Sequence, residues 1–166
     1  IIVSMLGLIL VLSRFQIRWT NRRYEVSRWL LAFSMFVLAW HYVLQMVCGF
    51  RAKGDEIGAV VNVLFYSPVS FFISYATYNL ICYRGGRKKF ALLGCVSYAL
   101  ILICFFFGYN DTPRGMRMGE WLYVMLALFA VIIMYSTYTT VIEMRYHRKI
   151  IEENTTEDLL PFDRYT

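Results

Sequence analysis

Several polar side chains stand inside long apolar stretches of this sequence, at spacings that place them together on helical faces. His41 and Gln45 are four residues apart, and Asn62, Tyr66 and Ser70 follow one another at the same interval in the next apolar stretch. Polar groups within membrane-spanning helices are costly, so they serve either a ligand or proton site or interhelical hydrogen bonds that fix packing. We take these five residues as the candidate ligand-binding site, and the packing role remains open.

The row of amide and hydroxyl groups that contains Asn62 extends further, to Ser74 and Tyr78, and it encloses Pro68. Proline has no N–H and clashes with the carbonyl four residues earlier, so it removes one helical hydrogen bond and bends the helix. We expect a neighbouring Ser or Thr hydroxyl to satisfy the freed carbonyl. The row is typical of either a small-residue packing face or a polar cavity that opens outward.

Glu143 and His147 follow the last apolar stretch and share a helical face because of their spacing of four. At the inner membrane interface they are expected to form a solvated pair rather than a catalytic one. Together with Pro68, where a helix can bend, we assign these two residues to a signal relay that leads out of the membrane.

The motifs of common catalytic sites are absent from the sequence. The chain has no HExxH, no glycine-rich phosphate loop and no GxSxG, and its acidic residues occur only in connections, span ends and the tail. Its four cysteines form no CxxC pair, so we expect small apolar fillers, with a disulfide between Cys48 and Cys104 as the alternative. We therefore predict that the chain is not an enzyme and holds no metal or cofactor.

The composition identifies the elements that position these side chains. Hydrophobic residues make up 59% of the chain and charged residues 17%, whereas about a quarter of a soluble domain is charged. Because a chain of this size cannot bury so much apolar surface in water, we predict an all-α, polytopic membrane bundle of about five transmembrane helices. The predicted helices cover residues 1–12, 29–50, 57–83, 90–109 and 118–142. The first is too short for a bilayer, which needs about 20 residues, and we expect it to continue upstream.

The basic residues set the expected orientation of the bundle. Thirteen Lys and Arg residues lie in the first and third connections and the tail, and four lie in the second and fourth connections. Because Lys and Arg in short loops favour the cytoplasmic side, the N-terminus is predicted outside and the C-terminus in the cytoplasm. The net charge of +6 arises from these clusters, so it indicates membrane orientation and no direct nucleic-acid binding.

Two regions are predicted along the chain. Residues 1–142 form the transmembrane helical bundle, and residues 143–166 form a cytoplasmic juxtamembrane helix and linker. Met144, His147, Ile150 and Ile151 fall near a 3-4 spacing that could pack against a second copy, so a homodimer is one expected partner, although the segment is too short to establish a coiled coil. The end of the sequence, 157–166, is typical of a linker to a cytoplasmic output domain or protein.

One part of the chain, from about 29 to 89, carries a pattern of polar, aromatic and glycine positions. The pattern consists of His41, Gln45, Arg51, Gly58, Asn62, Phe65, Tyr66, Pro68, Asn79, Leu80 and the basic cluster 84–89. It resembles the multi-pass input regions of bacterial sensor proteins, in which a helical bundle precedes a histidine kinase or an AraC-type regulator. The resemblance implies a bacterial cytoplasmic membrane and an effector on its inner side.

Three functions fit these observations. The first is a sensory domain that relays a stimulus from outside or within the membrane to a cytoplasmic output through the last helix. The second is a small-solute transporter or channel, favoured by the polar row and its proline. The third is a structural subunit of a membrane complex. The partners expected for the first are the lipid bilayer, a small ligand of unknown identity and the output domain or protein.

Overall fold

The protein is described here by a computed structural model covering residues 2–12, 22–50, 55–82, 85–110 and 119–154. Within these ranges it forms five α-helices and no strand, so the predicted all-α class is confirmed. The helices are α1 (Ile2–Leu12), α2 (Arg22–Cys48), α3 (Asp55–Ile81), α4 (Arg87–Asn110) and α5 (Glu120–Asn154).

Four of the helices, α2 to α5, are long and apolar enough to cross a membrane. In none of them is more than 28% of the apolar window buried inside the protein, so most of that apolar surface needs lipid or another partner as its environment. The 11 residues of α1 extend for only about 16 Å, roughly half the hydrocarbon thickness of a bilayer. Length and composition therefore indicate an integral membrane protein, while the orientation of the termini stays a prediction.

The helices begin and end where polar segments meet the apolar spans. α2 starts at Arg22 rather than at 29, because the charged turn before the apolar stretch is also helical. The helix predicted to continue beyond 142 is present, since α5 extends to Asn154. The tail segment 157–166 lies outside the described residues. All four cysteines are free thiols, so the alternative of a disulfide between Cys48 and Cys104 is not found.

α3 is the central helix of the bundle. It packs against α2, α4 and α5, whereas α1 packs on α2 and α4 packs also on α5. Contacts that pair Ser27 with Ala76 and His41 with Asn62 show that α2 and α3 are antiparallel. α4 reverses direction again, so α3 and α5 run parallel.

This topology gathers basic residues at one end of the bundle, which we call the basic end. The first turns of α2 and α4 lie there together with the last turns of α3 and the residues of α5 that follow the apolar span. The cationic residues of the basic end that the structure describes are Arg22, Arg23, Arg28, Arg87, Lys88, Lys89, Arg145, Arg148 and Lys149. The clustering agrees with the predicted grouping of Lys and Arg on one side of the membrane.

Two different cores hold α3, α4 and α5 together. Away from the basic end the buried side chains are aliphatic or Met: Val60, Val63, Ile101, Leu122, Met125 and Ile132. Toward the basic end the core is aromatic, and the rings of Tyr78 and Phe90 stack with centroids 4.6 Å apart. Phe71 stacks on the other side of this group and lies directly over Gly94, where any Cβ would collide with the ring. The close approach of α3 and α4 therefore depends on glycine at this position.

Pro68 lies within α3, and the helix continues through it. The carbonyl that a proline at this position leaves without its helical donor is that of Leu64, four residues earlier. The hydroxyl of Tyr98, from α4, donates to the Leu64 carbonyl at 3.4 Å. Our expectation that a neighbouring Ser or Thr would fill this role is wrong, because the hydroxyl of Ser70 donates instead to Ser67 at 3.0 Å.

Candidate functional site

The predicted polar residues of the second and third apolar stretches meet between α2 and α3. The amide of Gln45 donates from Nε2 to Asn62 Oδ1 at 2.6 Å, and His41 Nε2 lies 3.1 Å from the same oxygen. An amide oxygen only accepts hydrogen bonds, so His41 must carry a proton on Nε2 in this arrangement. Both lone pairs of one partly buried oxygen are thus used by donors from the neighbouring helix.

Aromatic rings surround the histidine. The His41 side chain is 0% exposed, with ring centroids at 4.9 Å from both Phe65 and Tyr66 and at 5.9 Å from Tyr42. Tyr66 meets it edge-on, which is a favourable geometry for two π systems. We name His41, Gln45, Asn62 and Tyr66 the His41 cluster. It offers a titratable imidazole and two amides inside an apolar wall.

Ser70 is the one predicted ligand-binding residue outside the His41 cluster. It lies eight residues beyond Asn62, which is about 12 Å along the helix, and its hydroxyl donates a hydrogen bond to the carbonyl of Ser67. The structure thus brings together four of the five residues. Ligand binding by any of them stays a prediction.

A second polar cluster lies at the basic end of the same helix pair. Asn79, 4% exposed, donates from Nδ2 to the Arg23 carbonyl and to Ser27 Oγ, both at 3.0 Å. Ser27 in turn donates to the Ala76 carbonyl at 2.9 Å, and Arg87 donates to Asn79 Oδ1 at 3.4 Å. We call these groups the Asn79 cluster. It joins α2, α3 and α4 at a point about 21 Å along α2 from His41.

In the sequence, Asn79 is part of the pattern that resembles bacterial sensor input regions, but no role is predicted for it. The signal that identifies it is the register of the two helices. If His41 faces Asn62 in an antiparallel pair, then the residue of α3 that faces Ser27 is close to Ala76, one turn from Asn79. An asparagine next to a serine of the facing helix is a common interhelical contact in membranes.

The predicted relay residues on α5 differ in their surroundings. Glu143 is 5% exposed and lies close enough to Tyr78 of α3 to interact with it electrostatically, whereas His147 is partly exposed. The expectation of a solvated pair is therefore wrong for Glu143. Its burial follows from its helical face, since Ile132 and Ser136, eleven and seven residues earlier, are buried on the same side of α5.

The polar row of α3 connects the His41 cluster with α5. A step of four residues turns an α-helix by about 40° beyond a full turn, so the row drifts around the axis by roughly 160° from Asn62 to Tyr78. Asn62 faces α2, and Tyr78 stacks on Phe90 of α4, whose ring in turn stacks on Tyr135 of α5. One continuous row thus begins against α2 and ends against the helices on the other side.

Comparisons with known proteins add no relative: no family model, curated protein or solved structure matches this chain. The fold and the site therefore define its class by themselves. Over the residues that the structure describes, the protein is α-helical, with four helices suited to crossing a membrane and two polar clusters between α2 and α3.

Proposed function

We propose that this chain is a sensory domain of a bacterial cytoplasmic membrane. In this proposal the His41 cluster receives the stimulus, α3 passes the change across the membrane, and α5 carries it to a cytoplasmic output domain or protein. The stimulus is a proton or a small polar ligand that competes for the hydrogen bonds of Asn62. The observation that supports it best is the central position of α3, which packs against both α2 and α5.

A change at the His41 cluster has a direct route to α5. The two donors that converge on Asn62 hold α2 and α3 in one relative position. Interhelical hydrogen bonds in membranes are worth about 0.6 to 2 kcal/mol each, so a competing ligand can shift the balance between two packings. Helix shifts of about 1–2 Å are sufficient for switching, and α3 passes such a shift to α5, on which it packs directly.

The length of α5 supports an output role. Its 35 residues extend for about 52 Å, whereas the hydrocarbon core of a bilayer is about 30 Å thick. We call residues 143–154 the exit helix. It carries the i,i+4 ion pair of Arg148 with Glu152 at 2.7 Å, which favours helix outside the lipid. A rigid exit helix that leaves the bundle at the basic end can move a domain attached to it.

The relay is tested by hydrogen exchange on the protein in lipid nanodiscs. His41→Leu and Asn62→Leu remove the hydrogen bonds of the cluster, and faster amide exchange is expected in the exit helix, on the far side of the bilayer. Ser97→Ala is the matched control, because Ser97 is partly exposed on α4 and its hydroxyl donates to a carbonyl of its own helix. Unchanged exchange in the exit helix of both cluster variants would remove the proposed site.

The transporter or channel hypothesis is separated from sensing by a flux assay. Purified protein in liposomes is expected to conduct no small solute if it is only a receptor. One hydroxyl of the polar row favours this outcome, since Ser70 donates its proton to the carbonyl of Ser67 in α3 itself and not to a solute. Saturable solute flux that His41→Leu abolishes would instead support transport.

The proposed orientation rests on the basic end lying in the cytoplasm. A cysteine at Lys149, in the exit helix, is expected to resist a membrane-impermeant maleimide in intact cells and to react after lysis. A cysteine at Met46, 86% exposed near the opposite end of α2, is the matched control that reacts from outside. Reversal of the two patterns would invert the direction of the relay.

A further inference from the structure

An apolar groove runs along one face of α2 near the basic end. Its volume is about 480 Å³. The residues that line it are Arg22, Glu25, Val26, Trp29, Leu30 and Phe33. Their spacing of three and four residues places them in one stripe, and Trp29 and Phe33 are 54% and 53% exposed. The groove therefore has a charged mouth at Arg22 and apolar walls that extend away from the basic end.

The charge at the mouth of the groove is positive. The Glu25 carboxylate is paired with Arg28 at 2.7 Å, which offsets its negative charge. Arg22 is exposed and has no ion pair within the ranges that the structure describes. An anionic group at the mouth would thus lie next to the Arg22 guanidinium, whose positive charge has no acidic partner among the described residues.

The dimensions of the groove fit one leaflet of a bilayer. From Arg22 to Phe33 the helix rises by about 16 Å, close to half of the roughly 30 Å hydrocarbon thickness. The guanidinium of Arg28 lies 5.9 Å from the ring centroid of Trp29, an arrangement that holds an amphipathic ring near the headgroup layer. The groove thus presents a charge, then an indole at the interface, and then an apolar wall. A phospholipid has the same order of groups, from its charged headgroup to its acyl chains.

We infer that the groove on α2 binds one anionic glycerophospholipid, with its phosphate headgroup at Arg22 and an acyl chain against Trp29 and Phe33. The charge of Arg22 selects anionic over zwitterionic lipid, because each Lys or Arg near a membrane surface contributes a several-fold preference for anionic headgroups. The inference does not depend on a sensory role, since it concerns the outer face of α2 and not the His41 cluster.

The test uses the purified chain in nanodiscs that contain phosphatidylcholine with or without phosphatidylglycerol. Native mass spectrometry of the released protein is expected to show one retained phosphatidylglycerol in preference to phosphatidylcholine. Arg22→Gln should lower this preference about fivefold, and Phe33→Ala should weaken retention of both lipids. Lys149→Gln removes an exposed charge on α5, a helix that does not contact α2 and does not line the groove, so it is the matched control and should keep wild-type retention.

Equal retention of the two lipids by the wild type, or unchanged preference in Arg22→Gln, would overturn the inference. Circular dichroism of each variant confirms that the helices are intact, so that a loss of lipid is not a loss of fold. A wild-type dimer that Phe33→Ala dissociates, with no difference between the lipids, would assign the groove to a second copy of the chain and would also overturn it.

Discussion

Replacing Asn62 by Leu removes the acceptor on which the His41 cluster depends. Its Oδ1 accepts from Gln45 at 2.6 Å and lies 3.1 Å from His41 Nε2, and His41 is 0% exposed. Two interhelical hydrogen bonds at about 0.6 to 2 kcal/mol each give an expected loss of roughly 1–4 kcal/mol in the free energy of unfolding. Gln45→Leu removes only one of the two donors and should lose about half as much.

The assay is reversible unfolding in mixed micelles, followed by circular dichroism for wild type, both single variants and the double variant. The residues share one acceptor, so the effects of Asn62→Leu and Gln45→Leu should not add, and the coupling energy should be about 1 kcal/mol. Ser97→Ala, a change at an exposed hydroxyl, should alter stability by less than about 0.5 kcal/mol. Additive losses would show that the hydrogen bond of Gln45 to Asn62 does not hold the helices together, and the reasoning would be refuted.

Other packing contacts make further predictions. Gly94→Ala should destabilise the contact of α3 with α4 by about 1–3 kcal/mol, measured by the same unfolding assay, because a Cβ collides with the aromatic ring above it. Tyr98→Phe should lose about 1 kcal/mol in wild type but little in a Pro68→Ala background, where the helix regains the missing N–H. Asn79→Ala should open the basic end and increase the rate at which maleimide modifies Cys82, which is 2% exposed in the intact structure.

Each of these predictions has a contrary result. Wild-type stability of Gly94→Ala would mean that α3 and α4 are further apart than the structure shows. If Tyr98→Phe lowers the free energy of unfolding equally with and without Pro68, the Tyr98 hydroxyl does not compensate for the hydrogen bond that the proline removes. Slow modification of Cys82 in Asn79→Ala, as in wild type, would show that the Asn79 cluster does not close the basic end.

The helices of this protein follow from its sequence because lipid imposes a simple rule. Every backbone group within the apolar layer must be bonded inside its own segment, so long apolar stretches become helices. Hydropathy identifies only the apolar part of a helix and misses a polar turn at its end. For this reason the predicted start of α2 falls seven residues after Arg22. The direction in which the bundle crosses the membrane depends on insertion and stays a prediction.

The His41 cluster was predictable for a related reason. His41, Gln45 and Asn62 lie in apolar stretches and need polar partners, and the spacing of the first two fixes their common face. Ser70 lies apart from these three residues, because a row with a period of four drifts around a helix, and its role in ligand binding stays a prediction. The row therefore leaves the α2 interface before it reaches the basic end.

The burial of Glu143 and the Asn79 cluster required the structure. Local sequence around Glu143 is basic and polar, which predicts exposure, and only the packing of α5 on α3 shows otherwise. Asn79 bonds to Ser27, 52 residues away in the chain. Such contacts depend on which residues of α2 lie opposite which residues of α3. That register can be worked out from the sequence only after one contacting pair of residues is known.

The central claim is that a change in the His41 cluster moves the exit helix. Spin labels at Val26 and Ile151, each about two-fifths exposed near the basic end, report the distance from α2 to α5 in nanodiscs when the accessible cysteines are serine. His41→Leu is expected to shift the mean distance by about 2 Å, with no shift in Ser97→Ala. An unchanged distance distribution in a His41→Leu protein that remains folded would contradict the relay.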